Sequence, residues 1–164
     1  MTSPEILTML NEKTIDFESI SSGGYGVPEV TPSMVAQAFA GIDNKYMYAA
    51  MIKICGDIAQ AKKLIDPWLL GDVSKIAVKE NWNIQKGDLT ALCELAICEI
   101  HSPSMFNDDE KRGIALSINT GRIIVGLEFL KLYRRYYNVI YNIVDEYCCT
   151  AIRHLKKTWG DDSE

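Results

Sequence analysis

The sequence lacks the features that mark membrane, secreted and catalytic proteins. No apolar run approaches the roughly 20 residues that span a bilayer, and the start, MTSPEILTMLNEK, lacks the basic-then-apolar order of a secretory signal. Five cysteines, an odd number, do not resemble a secreted disulfide framework. The chain has only two histidines, and the sequence shows no plausible pair of a nucleophile and a base, so it offers no candidate catalytic residues. We therefore expect a cytoplasmic protein with reduced thiols that is not an enzyme and has no cofactor and no membrane partner.

Arginine is absent from the first 110 residues. This stretch contains eight lysines and sixteen acidic residues, so its formal net charge is −8. All five arginines lie in residues 111–158, whose formal net charge is +6, and the tail at 159–164 adds a charge of −3. A planar guanidinium group donates two parallel hydrogen bonds to a phosphate or a guanine. The confinement of arginine to one stretch therefore favours an anionic partner there, and the alternative is a solvated helix face.

Strand-like alternation is scarce, whereas apolar residues recur at helical spacing behind residues that cap helices. The pattern predicts an all-α fold: a helical bundle with a C-terminal helix-turn-helix and a long terminal helix. The predicted caps are Thr31, Asn44, Asp66, Asp88 and either Asn107 or Asp108. The apolar stripe predicted for the terminal segment comprises Ile123, Leu127, Leu130, Tyr137, Ile140, Val144, Cys148, Ala151 and Leu155.

Composition divides the chain into four parts. Residues 1–30 are expected to hold a short helix at 5–11 and a linker at 21–28, SSGGYGVP. Residues 31–106 form the acidic helical bundle, 107–158 the basic helix-turn-helix and C-terminal helix, and 159–164 an acidic tail. A GGYG loop could cradle phosphate, but no lysine follows it at P-loop spacing, so a plain linker is favoured.

The sequence EKRGIALSINTGRIIV at 110–125 predicts the helix-turn-helix. Gly113 supplies a small residue where two helices cross closely, and the N-terminus of the second helix would point at DNA. The other expected roles are Leu116 ending the first helix, Ser117 at the turn, Ile118 filling the angle, Asn119 capping the second helix and Ile123 returning to the core. A purely structural helical hairpin is the alternative.

Double-stranded DNA is the expected partner of this segment. The candidates for base edges are Asn119, Thr120 and Arg122, with Ser117 beside them at the turn. The candidates for phosphates are Lys111, Arg112, Lys131, Arg134 and Arg135.

Two other constellations have simpler interpretations. Cys93, Cys98 and His101 could offer three zinc ligands, but on a helix the two cysteines face different sides, unlike a CxxC knuckle, so we expect no metal. His154 neighbours Arg153 and Lys156 and is predicted to lie on a solvated basic face.

Residues 107–159, about a third of the chain, resemble the C-terminal part of the lambdoid phage late-gene antitermination proteins, the Q family, in particular its phage-21-like type. The resemblance is carried by DDEKR at 108–112, the predicted helix-turn-helix, YRRYY at 133–137, VI at 139–140, IVD at 143–145 and CTAIRHLKK at 149–157.

This resemblance implies a DNA-bound factor that loads onto RNA polymerase paused just past a late promoter in the bacterial host. The factor would travel with polymerase and narrow the path of the emerging RNA, so that terminator hairpins cannot form. The acidic N-terminal bundle would meet polymerase and sigma factor. The residues alone leave open a helical adaptor or inhibitor that binds an acidic protein. The long stripe could pair two copies on DNA or close on the N-terminal bundle.

Overall fold

The computed structural model describes residues 30–54 and 58–161, and every regular element among them is helical. This confirms the all-α prediction. None of these helices is both long enough and apolar enough to cross a membrane. The predicted helix at 5–11 and the linker at 21–28 lie outside the described residues. The helices are α1 (Pro32–Ala38), α2 (Asn44–Ile54), α3 (Ile58–Ala61), α4 (Leu70–Lys79), α5 (Lys86–His101), α6 (Asp109–Thr120), α7 (Gly126–Glu128) and α8 (Arg134–Asp161).

Capping side chains set several helix starts. Thr31 and Asp108 cap α1 and α6 as predicted, through side-chain oxygens that accept backbone N–H groups three residues on, at 3.3 and 2.8 Å. At α2 the bond comes from Asp43, which accepts a backbone N–H two residues on at 3.3 Å, so the cap predicted at Asn44 is wrong by one residue. The cap predicted at Asp88 is also wrong, because α5 begins two residues earlier and Asp88 lies in its first turn.

Between α3 and α4 the chain runs through a short 3-10 turn, Lys62–Leu64, and a helical segment, Ile65–Leu69, that is interrupted at Asp66. Asp66 has an extended backbone, with φ −120° and ψ 122°. The ring of Pro67 clashes with a helical conformation of the preceding residue. The extended backbone of Asp66 therefore interrupts the helical segment, and the cap predicted at Asp66 remains a prediction.

The described chain packs as two compact units. The first holds the residues up to Ala61 together with those from Glu146 on, and the second holds residues 62–145, so the boundary falls inside α8. These units follow packing. The predicted parts 31–106 and 107–158 are drawn from charge and remain a prediction.

In the first unit, the last turns of α8 pack on α1 and α2. The Cys148 thiol donates to the Ala49 carbonyl oxygen at 3.5 Å. The His154 Nε2 lies 2.7 Å from the Ala38 carbonyl oxygen, and its ring centre is 4.7 Å from that of Phe39. A carbonyl oxygen only accepts, so Nε2 must carry the proton. His154 is half-buried, and its predicted place on a solvated face is wrong.

The terminal helical run begins at Gly126 and contains a π-helical turn, Phe129–Tyr133, before α8. Ahead of α8 the predicted stripe fails: Leu127 and Leu130 are exposed, and Phe129 is buried instead. A π turn has a wider hydrogen-bonding step than an α turn, which rotates the inward face relative to a regular 3.6-residue repeat. Within α8 the stripe is confirmed as buried at Tyr137, Ile140, Val144, Cys148, Ala151 and Leu155.

Candidate nucleic-acid interface

The basic stretch of the second unit folds as a helical hairpin: α6, a connection at 121–125, and the helical run from Gly126. Helix α6 continues through Ser117 to Thr120 and ends at Gly121, whose φ of +72° lies in the left-handed region that favours glycine. The turn predicted at Ser117 is therefore wrong, because the residue able to end the helix stands four positions later. The cap predicted at Asn119 is wrong too, since this residue is exposed in the last turn of α6.

Ser117 instead joins α6 to the connection. Its Oγ accepts a hydrogen bond from the Ile124 backbone N–H at 2.7 Å and donates to the Gly113 carbonyl oxygen at 2.7 Å. Ile124 is thereby held in the core, whereas Ile123 is 88% exposed. The predicted return of Ile123 to the core is wrong by one residue. Ile118 is 77% exposed and does not fill the angle between the helices.

Two glycines let the hairpin close by backbone contact. A Cβ on Gly113 would lie 2.8 Å from the carbonyl oxygen of Ile124, and a Cβ on Gly126 would lie 3.0 Å from the Cα of Glu110. The predicted need for a small residue at Gly113 is confirmed. Its close neighbour, however, is the connection and not the second helix. The spacing of the hairpin therefore depends on the absence of two side chains.

Arg112 is held inside the second unit. Its Nε donates to Glu99 Oε1 at 2.6 Å and its Nη1 to Asp109 Oδ1 at 3.0 Å, and the guanidinium carbon lies 5.4 Å from the centre of the Tyr137 ring. Burial opposes the charge, but the hydrogen bond and attraction from Glu99 outweigh it, so the pKa of Arg112 lies above its ordinary value. Only 17% of the side chain is exposed. Arg112 therefore stabilises the packing of α6 on α5 and is poorly placed to reach a phosphate.

Three of the predicted cationic residues, Arg122, Lys131 and Arg135, border one cleft of about 390 Å³. Arg135 lies over the ring of Tyr136, at 4.6 Å, and its Nη2 donates to the tyrosine hydroxyl at 2.5 Å. Lys131 is exposed and makes no ion pair with any residue that the structure describes. The lining is completed by Asn83, Ile84, Gln85, Asp88, Leu132, Tyr133 and Tyr136. With three cations and one carboxylate, the cleft is suited to an anionic ligand.

Arg122 is tied to the start of α5. Its Nη2 donates to Asp88 Oδ1, across 34 residues of sequence. That hydrogen bond, together with the charge of Asp88, raises the pKa of Arg122. The Asp88 side chain is mostly buried, whereas half of the Arg122 side chain is exposed. The guanidinium group has five N–H donors, so the bond to Asp88 leaves others for a ligand.

The other predicted contact residues lie outside this cleft. Lys111 and Arg134 are partly exposed beside the acidic start of α6, 4.0 Å from Asp108 and 3.4 Å from Asp109 respectively. Thr120 Oγ1 donates to a carbonyl oxygen of its own helix at 2.8 Å.

The start of the second helix offers little to DNA. Its first turn, Gly126–Glu128, carries no side chain that donates a hydrogen bond to a base edge. The geometry therefore favours the cleft and the tip of the hairpin over this N-terminus as the candidate nucleic-acid face.

Tyr136, which lines the cleft, packs against residues of a distant loop that no sequence motif signals. The Trp82 ring lies 4.8 Å from that of Tyr136, and the Asn83 backbone N–H donates to the Tyr136 hydroxyl at 3.3 Å. Trp82 and Asn83 belong to the loop between α4 and α5. Asn83 and Tyr136 are 53 positions apart in the sequence. Only the regular spacing of Tyr133 and Tyr136 is visible in the sequence.

Within residues 30–54 and 58–161, no group of three histidine, cysteine or acidic side chains is arranged to hold a metal ion. Cys93 is buried, and burial, with a smaller contribution from Glu94, raises the pKa of its thiol to about 12. Cys98 is half-buried, and burial likewise raises the pKa of its thiol. Both are free thiols.

The chain matches no family model, no curated protein and no solved structure. The resemblance to the phage antitermination proteins therefore depends only on the residues that carry it.

Proposed function

We propose that this protein binds double-stranded DNA through the second unit and acts as a transcription antitermination factor. The observation that carries the proposal is the convergence of Arg122, Lys131 and Arg135 on one cleft, within the only stretch of the sequence that contains arginine. Cations gathered on one face can neutralise successive backbone phosphates and so supply the affinity of a DNA complex.

Sequence selectivity needs contacts to base edges, and the tip of the hairpin offers them. Asn119 is exposed at the end of α6, and Arg122 follows it in the connection. An amide can bond bidentately to adenine and a guanidinium group to guanine. The hairpin would then serve as a helix-turn-helix with its turn at 121–125, and as the DNA-binding part of a helical bundle.

The charge distribution supports a fixed orientation on DNA. The net charge of the chain is −5, so its overall field repels nucleic acid. Only a face dominated by the cationic stretch can approach phosphates closely. The acidic first 110 residues would then supply the surface that contacts protein.

The antitermination role follows from the resemblance. A DNA-bound copy would meet RNA polymerase paused just past a late promoter, contact polymerase and sigma factor through its acidic helices, and move onto the transcribing enzyme. By narrowing the path of the emerging RNA, it would prevent terminator hairpins from forming. The protein would act in the cytoplasm of the bacterial host.

DNA binding is tested by measuring affinity for promoter-region DNA from the same genome at several salt concentrations. We expect Lys131→Ala and Arg135→Ala each to weaken binding and to lower the slope of log K against log salt by about 0.9, the value for one lost phosphate contact. Lys75→Ala is the matched control, since Lys75 is an exposed lysine of α4 that does not line the cleft. Binding that is absent, or slopes that are equal for all four proteins, would refute the proposed interface and favour an adaptor for an acidic protein.

Antitermination is tested separately by transcription in vitro across a terminator placed downstream of the bound promoter. We expect the wild type to raise the fraction of readthrough transcripts and Arg135→Ala to raise it less. Retained DNA binding without readthrough would refute the antitermination role and leave the DNA interface intact.

A further inference from the structure

Exposed aliphatic side chains are concentrated on the hairpin of the second unit. Ten large hydrophobic residues are exposed among those that the structure describes, and seven of them lie between residues 114 and 132. Four of the seven, Ile114, Ile118, Ile123 and Val125, line one groove of about 520 Å³. Scattered apolar residues are normal on a protein surface, but a contiguous group marks an interaction site. The groove has no cationic side chain in its lining, so it is not part of the phosphate-binding face.

We infer that this groove is an interface between two copies of the chain, packed with α6 antiparallel to α6 of the second copy. A two-fold interface brings together the same patch from both copies, so that patch must be complementary to itself. The groove is lined both by highly exposed side chains, Ile118 and Ile123, and by the buried Ile124 and the half-buried Ser117. Each copy can therefore both insert side chains and receive them.

The register of the two helices follows from the spacing of the groove residues. Ile114 and Ile118 lie one helical turn apart, on either side of Leu116. An antiparallel copy centred at Leu116 places each Ile114 opposite the second copy's Ile118. The exposed aliphatic surface of α6 is then covered along its whole length.

Charge selects the same arrangement. Glu110 lines one end of the groove and makes no ion pair with a described residue, and Arg122 lies half-exposed beyond the other end of α6. These two residues are equally far from Leu116 in sequence, in opposite directions. An antiparallel pair therefore brings each Glu110 toward the end of the second copy's α6 that precedes Arg122, whose guanidinium group has N–H donors beside the one bonded to Asp88. A parallel pair would instead bring like charges together.

The interface is tested by sedimentation equilibrium of the full chain without nucleic acid, so the result is independent of the proposed DNA binding. We expect the wild type to show a concentration-dependent monomer–dimer equilibrium. Ile118→Ser and Ile123→Ser should each raise the dissociation constant at least about tenfold, since each removes a projecting aliphatic group from the interface. Val78→Ser is the matched control: Val78 is 79% exposed on α4, outside the groove, and its substitution should leave the dimer unchanged. A wild type that stays monomeric at all concentrations, or a dimer that is indifferent to both isoleucine substitutions, would overturn the inference.

The antiparallel register is tested by mixing two charge variants. Glu110→Arg and Arg122→Glu should each dimerise more weakly than the wild type, because positions 110 and 122 then carry like charges where the two copies meet. A mixture of the two should form heterodimers, since every contact again joins opposite charges. Circular dichroism of each variant alone checks that it is folded. Folded variants whose mixture dimerises no better than either component would refute the register.

Discussion

Gly113→Ala is a substitution for which helix propensity and tertiary packing predict opposite signs. Alanine is favoured over glycine in a helix interior by about 1 kcal/mol. At Gly113, however, the added Cβ would lie 2.8 Å from the Ile124 carbonyl oxygen and 3.2 Å from the Val125 carbonyl carbon. Both atoms belong to the backbone and cannot rotate away, so the connection must move.

The magnitude follows from the two opposing effects. Overpacking a close contact costs about 1–3 kcal/mol. Displacing the connection also disturbs the 2.7 Å hydrogen bond from the Ile124 N–H to Ser117. These costs are partly offset by the higher helix propensity of alanine. We therefore expect Gly113→Ala to lower the free energy of unfolding by about 1–2 kcal/mol. Gly71→Ala and Gly87→Ala are matched controls, because both glycines are helical and neither has an atom within 4 Å of the added Cβ. These controls should be neutral or stabilise by up to about 1 kcal/mol.

The measurement is urea unfolding of the three variants and the wild type, followed by circular dichroism, with the midpoint and the slope fitted together. A lower midpoint for Gly113→Ala alone would support the close approach of α6 and the connection. A Gly113→Ala protein as stable as the wild type, or one that shifts in the same direction as both controls, would refute it.

Three further predictions use the same unfolding assay. Ser117→Ala should destabilise by about 1–2 kcal/mol, because it leaves the buried Ile124 N–H without its acceptor, and an unchanged midpoint would contradict that role. Arg112→Ala should destabilise by about 3 kcal/mol, because it leaves Glu99 buried and unpaired, and a neutral effect would mean that this pair is dispensable. The folded state holds the Cys93 proton more tightly than the unfolded state, so the contribution of this thiol to stability is present below pH 9 and is lost as pH rises toward about 12. Cys93→Ala should reduce that alkaline loss, and an identical pH profile would count against it.

Features that depend on neighbours within about one helical turn could be predicted from the sequence. Thr31 and Asp108 cap helices because a side-chain oxygen reaches the backbone N–H three residues on. Asp66 breaks the helix because the ring of the next residue, a proline, forbids its helical backbone. The clustering of arginine is likewise a property of the sequence alone. These local rules give the all-α class and direct attention to the basic stretch.

The tertiary structure decided which side chains form the candidate site. Asp88 looks like a helix cap in the sequence, but it pairs with Arg122, a partner 34 residues away that no local pattern reveals. Arg112 is one of five clustered arginines, yet Glu99 and Asp109 hold it in the interior.

The direction in which the hairpin faces was also decided by the tertiary structure. The π turn at Phe129–Tyr133 and the late helix end at Gly121 changed which aliphatic residues face the core, and left Ile123 at the surface. A repeat of 3.6 residues gives the spacing of an inward face only while the helix is regular. Which residue of another helix becomes the partner of a side chain depends on tertiary packing. The sequence of one segment carries no information about that packing.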